Sequence, residues 1–309
     1  MIPRLARQIS VRYTITGQRD NVRTAVWKEK LHMNDKASAS TGMATYRRDG
    51  HIGFVTLNRP EKRNALSLAM WYEIGDAIAL AESDAEARVV IVRGEGKSFC
   101  AGLDLSQENE IVSVIAGGAS ASQKTEFYRV VRRVQEIHTR LERLRVPTVA
   151  AIHSYCLGAG LELVLCCDIR LCSADAVFAL PEATLALITD VGGLQRLPRV
   201  VGPGHAREIA FRGHRFDAEK ARAINLVNEV YADRETLDAK ALEMAREIAT
   251  NPPLAVQGTK EVFLHDEQAG LDQALDYNAA RSSMIVPSED LMEAMAAYLQ
   301  KRPGQFKGA

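Results

Sequence analysis

The stretch from His153 to Pro198 limits what this chain can fold into more than any other part of it. Its first part reads as a buried strand, a glycine turn and a helix starting near Ala159. That helix is apolar on every side, so it has to be buried. Glu162 sits in its first turn. A buried carboxyl is costly unless it is paired, hydrogen-bonded or neutral, although the free N–H groups at a helix start favour an anion. Glu182 follows Pro181, and Asp190 precedes Val191-Gly192-Gly193. Each acid alone has an ordinary reading: a helix-dipole complement for Glu162, a first-turn acid for Glu182, an N-cap for Asp190. Three acids in apolar sequence beside glycine turns read better as one shared acid site. Two or more carboxyls in a dry cleft can move protons without a metal.

At 309 residues the chain can bury a large core. Lys plus Arg and Asp plus Glu are 39 each, so the formal net charge is zero. That leaves no electrostatic footprint for nucleic acid or an anionic membrane. No apolar run reaches the roughly 20 residues needed to span a bilayer. The five cysteines form no CxxC pair, and four lie in apolar segments. An odd count in buried positions points to reduced thiols and an intracellular enzyme.

Residues 1–43 differ from the rest and read as a leader outside the core fold. Their start is rich in Arg, and the first acid is Asp20. Such a start suits an organelle transit peptide, which would make the protein mitochondrial. The preferred reading is an extended or misassigned start, since Met33 and Met43 lie just before the periodic sequence. The protein is then cytoplasmic if its source is bacterial. From residue 44 to about 235 the pattern is α/β. Ile52 to Leu57, Val89 to Val92 and Thr148 to Ile152 read as strands. Ser67 is placed to cap a helix bearing Leu68, Trp71, Ile74 and Ile78. The Gly/Ala/Ser stretch 117–122 reads as a mobile loop, followed by an amphipathic helix carrying Phe127, Val130, Val134, Ile137, Leu141 and Leu144. Residues 236–309 read as all-helical, with Ser288 capping the last helix. No internal repeat is visible. His153 reads as a satisfied strand histidine, and Gly192-Gly193 as a turn or a close approach.

The motifs LNRPEKRNAL (57–66), FCAGLDL (99–105), GAGLEL (158–163), PE (181–182) and LQRLPRVVG (194–202) together resemble the crotonase superfamily, the enoyl-CoA hydratases and isomerases. The resemblance covers roughly residues 46–300. It implies a crotonase-type spiral of ββα units and a C-terminal helical trimerisation region, in a homo-trimer or a hexamer built as a dimer of trimers. It also implies an acyl-CoA thioester substrate and no metal or redox cofactor, coenzyme A being part of the substrate. Backbone N–H groups of Leu103 and Ala159 would form an oxyanion hole for the thioester enolate. Residues Ala101, Gly102, Leu103, Asp104 and Leu105, with Lys62 and Ala65 of the turn, would bind the CoA portion. Lys260 would either reach a CoA phosphate or lie solvated.

The acids then separate the subfamilies. Glu162 and Glu182 match the pair with which enoyl-CoA hydratases add water. Asp190 is extra, because hydratases usually carry Gly there. The runs ITDVGGLQRLPRVVG and AVQGTK are similar to Δ3,5-Δ2,4-dienoyl-CoA isomerases, and LDYNAARSSM (275–284) is a looser match. Those enzymes usually have Asp where Glu162 stands, so this chain also keeps the hydratase pair. The first reading is a dienoyl-CoA isomerase of fatty-acid β-oxidation, moving a proton from C2 to C6; the second is an enoyl-CoA hydratase. A non-catalytic crotonase-fold binding protein is a third, opposed by the zero net charge and the three retained acids. GAGLEL fails the dinucleotide signature because residue 163 is Leu, and GxSxG is absent.

Overall fold

The computed structural model describes residues 42–116, 120–267 and 269–309, and all of them fall in the unit Ser40–Ala309. The leader lies almost wholly outside them. A six-stranded sheet runs β1 (Ala44–Asp49), β2 (Ile52–Leu57), β3 (Val89–Gly94), β4 (Thr148–Ile152), β6 (Ile169–Ser173), β9 (Glu229–Tyr231). Only the β1–β2 pair is antiparallel. The inner strands read as unbroken apolar runs because both faces of the sheet are covered. On one face Val55, Leu57, Val90, Val92, Ala150 and Ile152 join the main core. On the other, Ile52, Phe54, Val89, Ile91, Val149 and Ala151 pack under a single helix.

The smaller sheet joins β5 (Tyr155–Leu157), β7 (Val177–Ala179) and β8 (Phe216–Asp217). Successive strands divide between the two sheets. β4 enters the large sheet and β5 the small one, and β6 and β7 repeat the step. β3 does the same in miniature, since Cys100 beyond it pairs with Cys156 of β5. This is the expected spiral. The repeat is structural only, because the helices between the strands differ in length. These are α1 (Leu68–Ser83), α2 (Glu110–Ala116), α3 (Ala121–Glu142), α4 (Ala159–Val164), α5 (Gly193–Arg212) and α6 (Ala218–Ala223). Every turn of the spiral returns to the same rim, where loops after β3 and β5 meet the loop after β7.

The Ser67 side chain accepts the Met70 N–H and caps α1, and Ser288 does the same for Leu291. The helix expected after a mobile loop starts earlier. Residues 117–119 lie outside the described residues, but Ser120 caps α3 in a capping box with Gln123. All five cysteines are free and buried. No helix among the described residues is long and apolar enough to cross a membrane.

Strands stop before residue 235, yet the first tail helix belongs to the core. Helix α7 (Arg234–Ala249) supplies Leu237, Ala241, Ala245 and Ala249 to the second face of the large sheet. The boundary at 235 is thus a change of secondary structure within one core. Helices α8 (Pro253–Asp266), α9 (Leu271–Met284) and α10 (Glu289–Gln300) follow. Lys260 of α8 corrects the sequence reading. It is neither solvated nor free for a phosphate. It is 5% exposed, and its Nζ donates to Asp168 Oδ2 at 2.8 Å and to Val146 O at 3.0 Å. Asp168 also accepts the N–H and hydroxyl of Thr148 at the start of β4. The lysine therefore ties the tail to the sheet. We expect Lys260→Met to lose about 2 kcal/mol in urea unfolding, a buried charged hydrogen bond being removed from a partner that keeps some solvent. The KM for a CoA thioester should stay unchanged; a raised KM at full stability would return Lys260 to the phosphate.

Candidate active site

Helix α4 starts at Gly158, where the chain leaves the small sheet, and buries every residue from Ala159 to Val164. Glu162 is 2% exposed. Its Oε2 accepts the Gly193 N–H at 2.7 Å. A Cβ on Gly193 would stand 2.9 Å from that oxygen, so only glycine lets the backbone come this close. Burial, with Glu182 and Asp190 adding repulsion, pushes the Glu162 carboxyl up to about 8. Glu182 opens a short 3-10 turn after β7. Its Oε1 overhangs the start of α4, 2.7 Å from where a Cβ on Gly158 would be. Its Oε2 accepts the Thr189 hydroxyl at 3.1 Å. Burial raises Glu182 above the usual carboxylate range, with Asp190 adding to it, and burial likewise raises Asp190.

Asp190 is not a helix cap. The N-cap of α5 is Gly192, and no side chain caps that helix. Glu162 and Glu182 are linked to the loop 189–193 by Gly193 and Thr189, and Asp190 lies between those two anchors. The three acids therefore stand close together. Each acid's proton affinity is raised, Glu162's most of all, so ionising all three together is disfavoured.

The loop after β3 lies against the start of α4. A Cβ on Gly102 would sit 2.8 Å from Leu157 O and 3.9 Å from Gly158 Cα. Gly102 O accepts the Leu66 N–H at 2.8 Å, and Asp104 N–H donates to Leu66 O at 3.0 Å. The Leu103 N–H between them has no partner among the described residues, nor has the Ala159 N–H at the helix start. Two free donors thus flank the contact between these segments. Lys62 is exposed on the 3-10 turn Pro60–Lys62, Leu105 is exposed on the loop, and Ala65 and Ala101 are half-buried between them.

Asp104 needs a correction. Its carboxylate is buried and committed to Arg59 Nη1 at 2.6 Å and to the Ser106 N–H at 2.9 Å, which holds it below its ordinary range despite burial. It braces the rim and does not present a free charge to a ligand. Asn64, which the sequence reading passed over, does similar work: its Nδ2 bonds Glu95 O, Ser98 O and Phe99 O while its Oδ1 accepts the Arg59 N–H. His153 is satisfied, its Nε2 at 3.1 Å from Gly96 O. Thr189 and the polar side chains of α3 beneath the acid loop were also missed. A hydroxyl beside an acid-bearing loop, and a histidine inside an apolar helix stripe, were the available signals.

A two-sheet spiral with one buried and two half-buried carboxyls beside two free peptide donors defines a crotonase-type enzyme. The chain belongs to the enoyl-CoA hydratase/isomerase family, whose model matches residues 47–309. It is 37% identical over 259 residues to a peroxisomal Δ(3,5)-Δ(2,4)-dienoyl-CoA isomerase of Arabidopsis thaliana, covering 84% of this chain and 93% of that one. It is 35% identical over 256 residues to a short-chain-enoyl-CoA hydratase of Clostridium acetobutylicum, covering 82% and 94%. A crystal structure of an enoyl-CoA hydratase from Bacillus anthracis superposes with a TM-score of 0.79 at 32% identity, covering 87% of this chain and 100% of that one. The protein is accordingly an acyl-CoA isomerase or hydratase.

The raised Glu162 has a consequence for stability. The folded state holds this proton more tightly than the unfolded chain does. Its contribution is complete below about 4.5 and is lost as pH rises toward about 8. His138, held near 3 by burial, acts in the opposite sense below its ordinary 6.5. The difference between wild type and Glu162→Gln isolates the acid. Glutamine keeps an acceptor for Gly193, so the variant should gain stability relative to wild type between pH 5 and 8 in urea titrations. Parallel pH curves for the two proteins would show that Glu162 is an ordinary carboxylate.

Proposed function

We propose that this enzyme converts a 3,5-dienoyl-CoA into the 2,4-dienoyl-CoA, a step of fatty-acid β-oxidation. One observation carries the reading. Asp190 is a half-buried third acid, its proton affinity raised by desolvation, that caps no helix and stands beside the Glu162–Glu182 pair. Adding water across a 2-enoyl bond uses two acids near C2 and C3 and gives a third no task. A 1,5-proton shift needs an acid at each end of a conjugated chain. Similarity to dienoyl-CoA isomerases supports the same choice.

In this mechanism Glu182 takes the C2 proton, and its raised affinity for protons suits a base working near neutrality. The electron pair moves into the thioester carbonyl, giving a conjugated trienolate whose oxygen accepts the Leu103 and Ala159 N–H groups. Loss of one such donor costs about 2.7–4 kcal/mol of transition-state stabilisation. Ala159 also lies at a helix start, which favours an anion. Asp190, carrying a proton, delivers it to C6, and the double bonds shift to positions 2 and 4. No electron is gained or lost, so the reaction calls for no redox cofactor, and coenzyme A arrives with the substrate. Lys62, Ala65, Ala101, Gly102 and Leu105 line the rim assigned to the CoA portion. Hydration of a 2-enoyl-CoA is the second reading, favoured by the intact Glu162–Glu182 pair and by similarity to a hydratase.

The tail supports assembly as a trimer or hexamer. Helices α8 to α10 expose Phe263, Leu271, Met284, Met292, Tyr298 and Leu299, each at least 60% accessible. That much apolar surface on neighbouring helices asks for a partner. We expect sedimentation at micromolar concentration to give three or six times 34.0 kDa; a stable monomer would overturn the assembly.

Two substitutions separate the chemical readings. Asp190→Asn should cut dienoyl isomerisation by about 10² or more while largely sparing any hydration. Glu182→Gln should cut both, with thioester binding retained. Hydration lost in Asp190→Asn, with isomerisation intact or never present, would place the protein with the hydratases.

A further inference from the structure

Helix α3 presents Gln135, His138, Thr139 and Glu142 at i, i+3, i+4 and i+7, one stripe of a helix surface. Every member of the stripe engages the acid loop or the helix that follows it. Gln135 Nε2 donates to Asp190 O at 2.5 Å. His138 Nδ1 lies 3.1 Å from Val191 O. Thr139 Oγ1 and both Glu142 oxygens receive the Arg196 guanidinium, at 3.1, 3.0 and 2.7 Å. Arg196 in turn fills the space beside Gly192, where a Cβ would collide with its Nη1. The loop has no strand pairing of its own. Its far side is open, with Leu185 49% and Ile188 76% exposed.

The two carbonyls that α3 grips are those of Asp190 and the next residue. Fixing both fixes the backbone from which the Asp190 carboxyl projects. Each donor is itself oriented. Arg132 Nη1 bonds Gln135 Oε1 at 2.7 Å, which turns the amide so that its Nε2 faces Asp190. Val191 O can only accept, so His138 must carry its proton on Nδ1. Its Nε2 is then a bare lone pair, buried without a partner among the described residues. An unpartnered buried polar atom is destabilising, a cost that a leucine in the same stripe would avoid. A purely packing role therefore does not account for histidine here.

We propose that Gln135 and His138 are positioning residues that aim the Asp190 carboxyl at the distal end of the acyl chain. The inference rests on Asp190 as the distal acid. The titratable and charged groups around the acid loop are Glu162 from α4, Glu182 from the 3-10 turn, His138 and Glu142 from α3, Arg132 of α3 through the Gln135 amide, and Arg196 from α5. None of these is Gln135, so a change at 135 alters placement without altering nearby charge.

The test is Gln135→Met, which keeps length and volume and removes the donor at a half-buried site that should still fold. With 3,5-dienoyl-CoA, kcat should fall about tenfold or more at unchanged KM, since small misplacement of a reacting group is costly. Any hydration of 2-enoyl-CoA should change less than twofold. In 13C-labelled protein the Asp190 carboxyl should titrate closer to the ordinary aspartate range, because a loosened loop admits water. Gln135→His, which can still offer an N–H, should recover part of the lost kcat. Unchanged kcat together with an unchanged Asp190 titration would overturn the proposal. If the wild-type protein does not isomerise dienoyl-CoA, the functional reading falls, and the Asp190 titration in Gln135→Met alone decides whether α3 positions the loop.

Discussion

A single hydrogen bond, from the Gly193 N–H to the carboxyl of Glu162, joins the two halves of the acid site. A carboxyl inside an apolar helix needs either a proton or a donor, and this site supplies conditions for both. The donor comes from the start of the next long helix, so the acid and α5 fix each other. Thr189 carries the same link on to Glu182. Asp190 is held between the two. The site's geometry thus follows from satisfying one buried group, and its raised proton affinities follow from the dryness that made satisfaction necessary.

The sheets decide where that group sits. A parallel sheet covered on both faces offers its only open ground at the strand ends. The spiral delivers three successive loops to one rim, and glycines let their backbones touch. Asn64 and the Arg59–Asp104 pair keep the rim together using groups that never need to meet a ligand. Chemistry and bracing are thereby separated among neighbouring residues of one motif.

Much of this was readable in the sequence because it is local. The apolar runs of β2, β3 and β4, the Ser67 and Ser288 caps and the apolar helix around Glu162 all depend on residues close in the chain. The spiral itself came from resemblance, since β5, β7 and β8 are too short to show a period. What escaped was long-range pairing of charge. Lys260 looked solvated because its partner Asp168 is 92 residues away. Asp104 looked available because Arg59 lies 45 residues before it. Helix α5 was masked by Pro198, Pro203 and the non-helical, positive-φ Gly202 inside it. The α3 stripe was legible as apolar spacing, but Gln135 and His138 gain meaning only when the carbonyls they face are known.

The fit of Arg196 against Gly192 bears on how this loop can change over evolutionary time. Gly192 has φ 115°, a value other residues rarely adopt, and the guanidinium already occupies the place of its side chain. Replacing the glycine first produces a collision. Replacing the arginine first strands Glu142 half-buried without its counter-ion. Neither single step is neutral, so the pair behaves as one inherited unit. A lineage that came to lack either residue would have needed to change positions 142 and 196 together before the glycine could go.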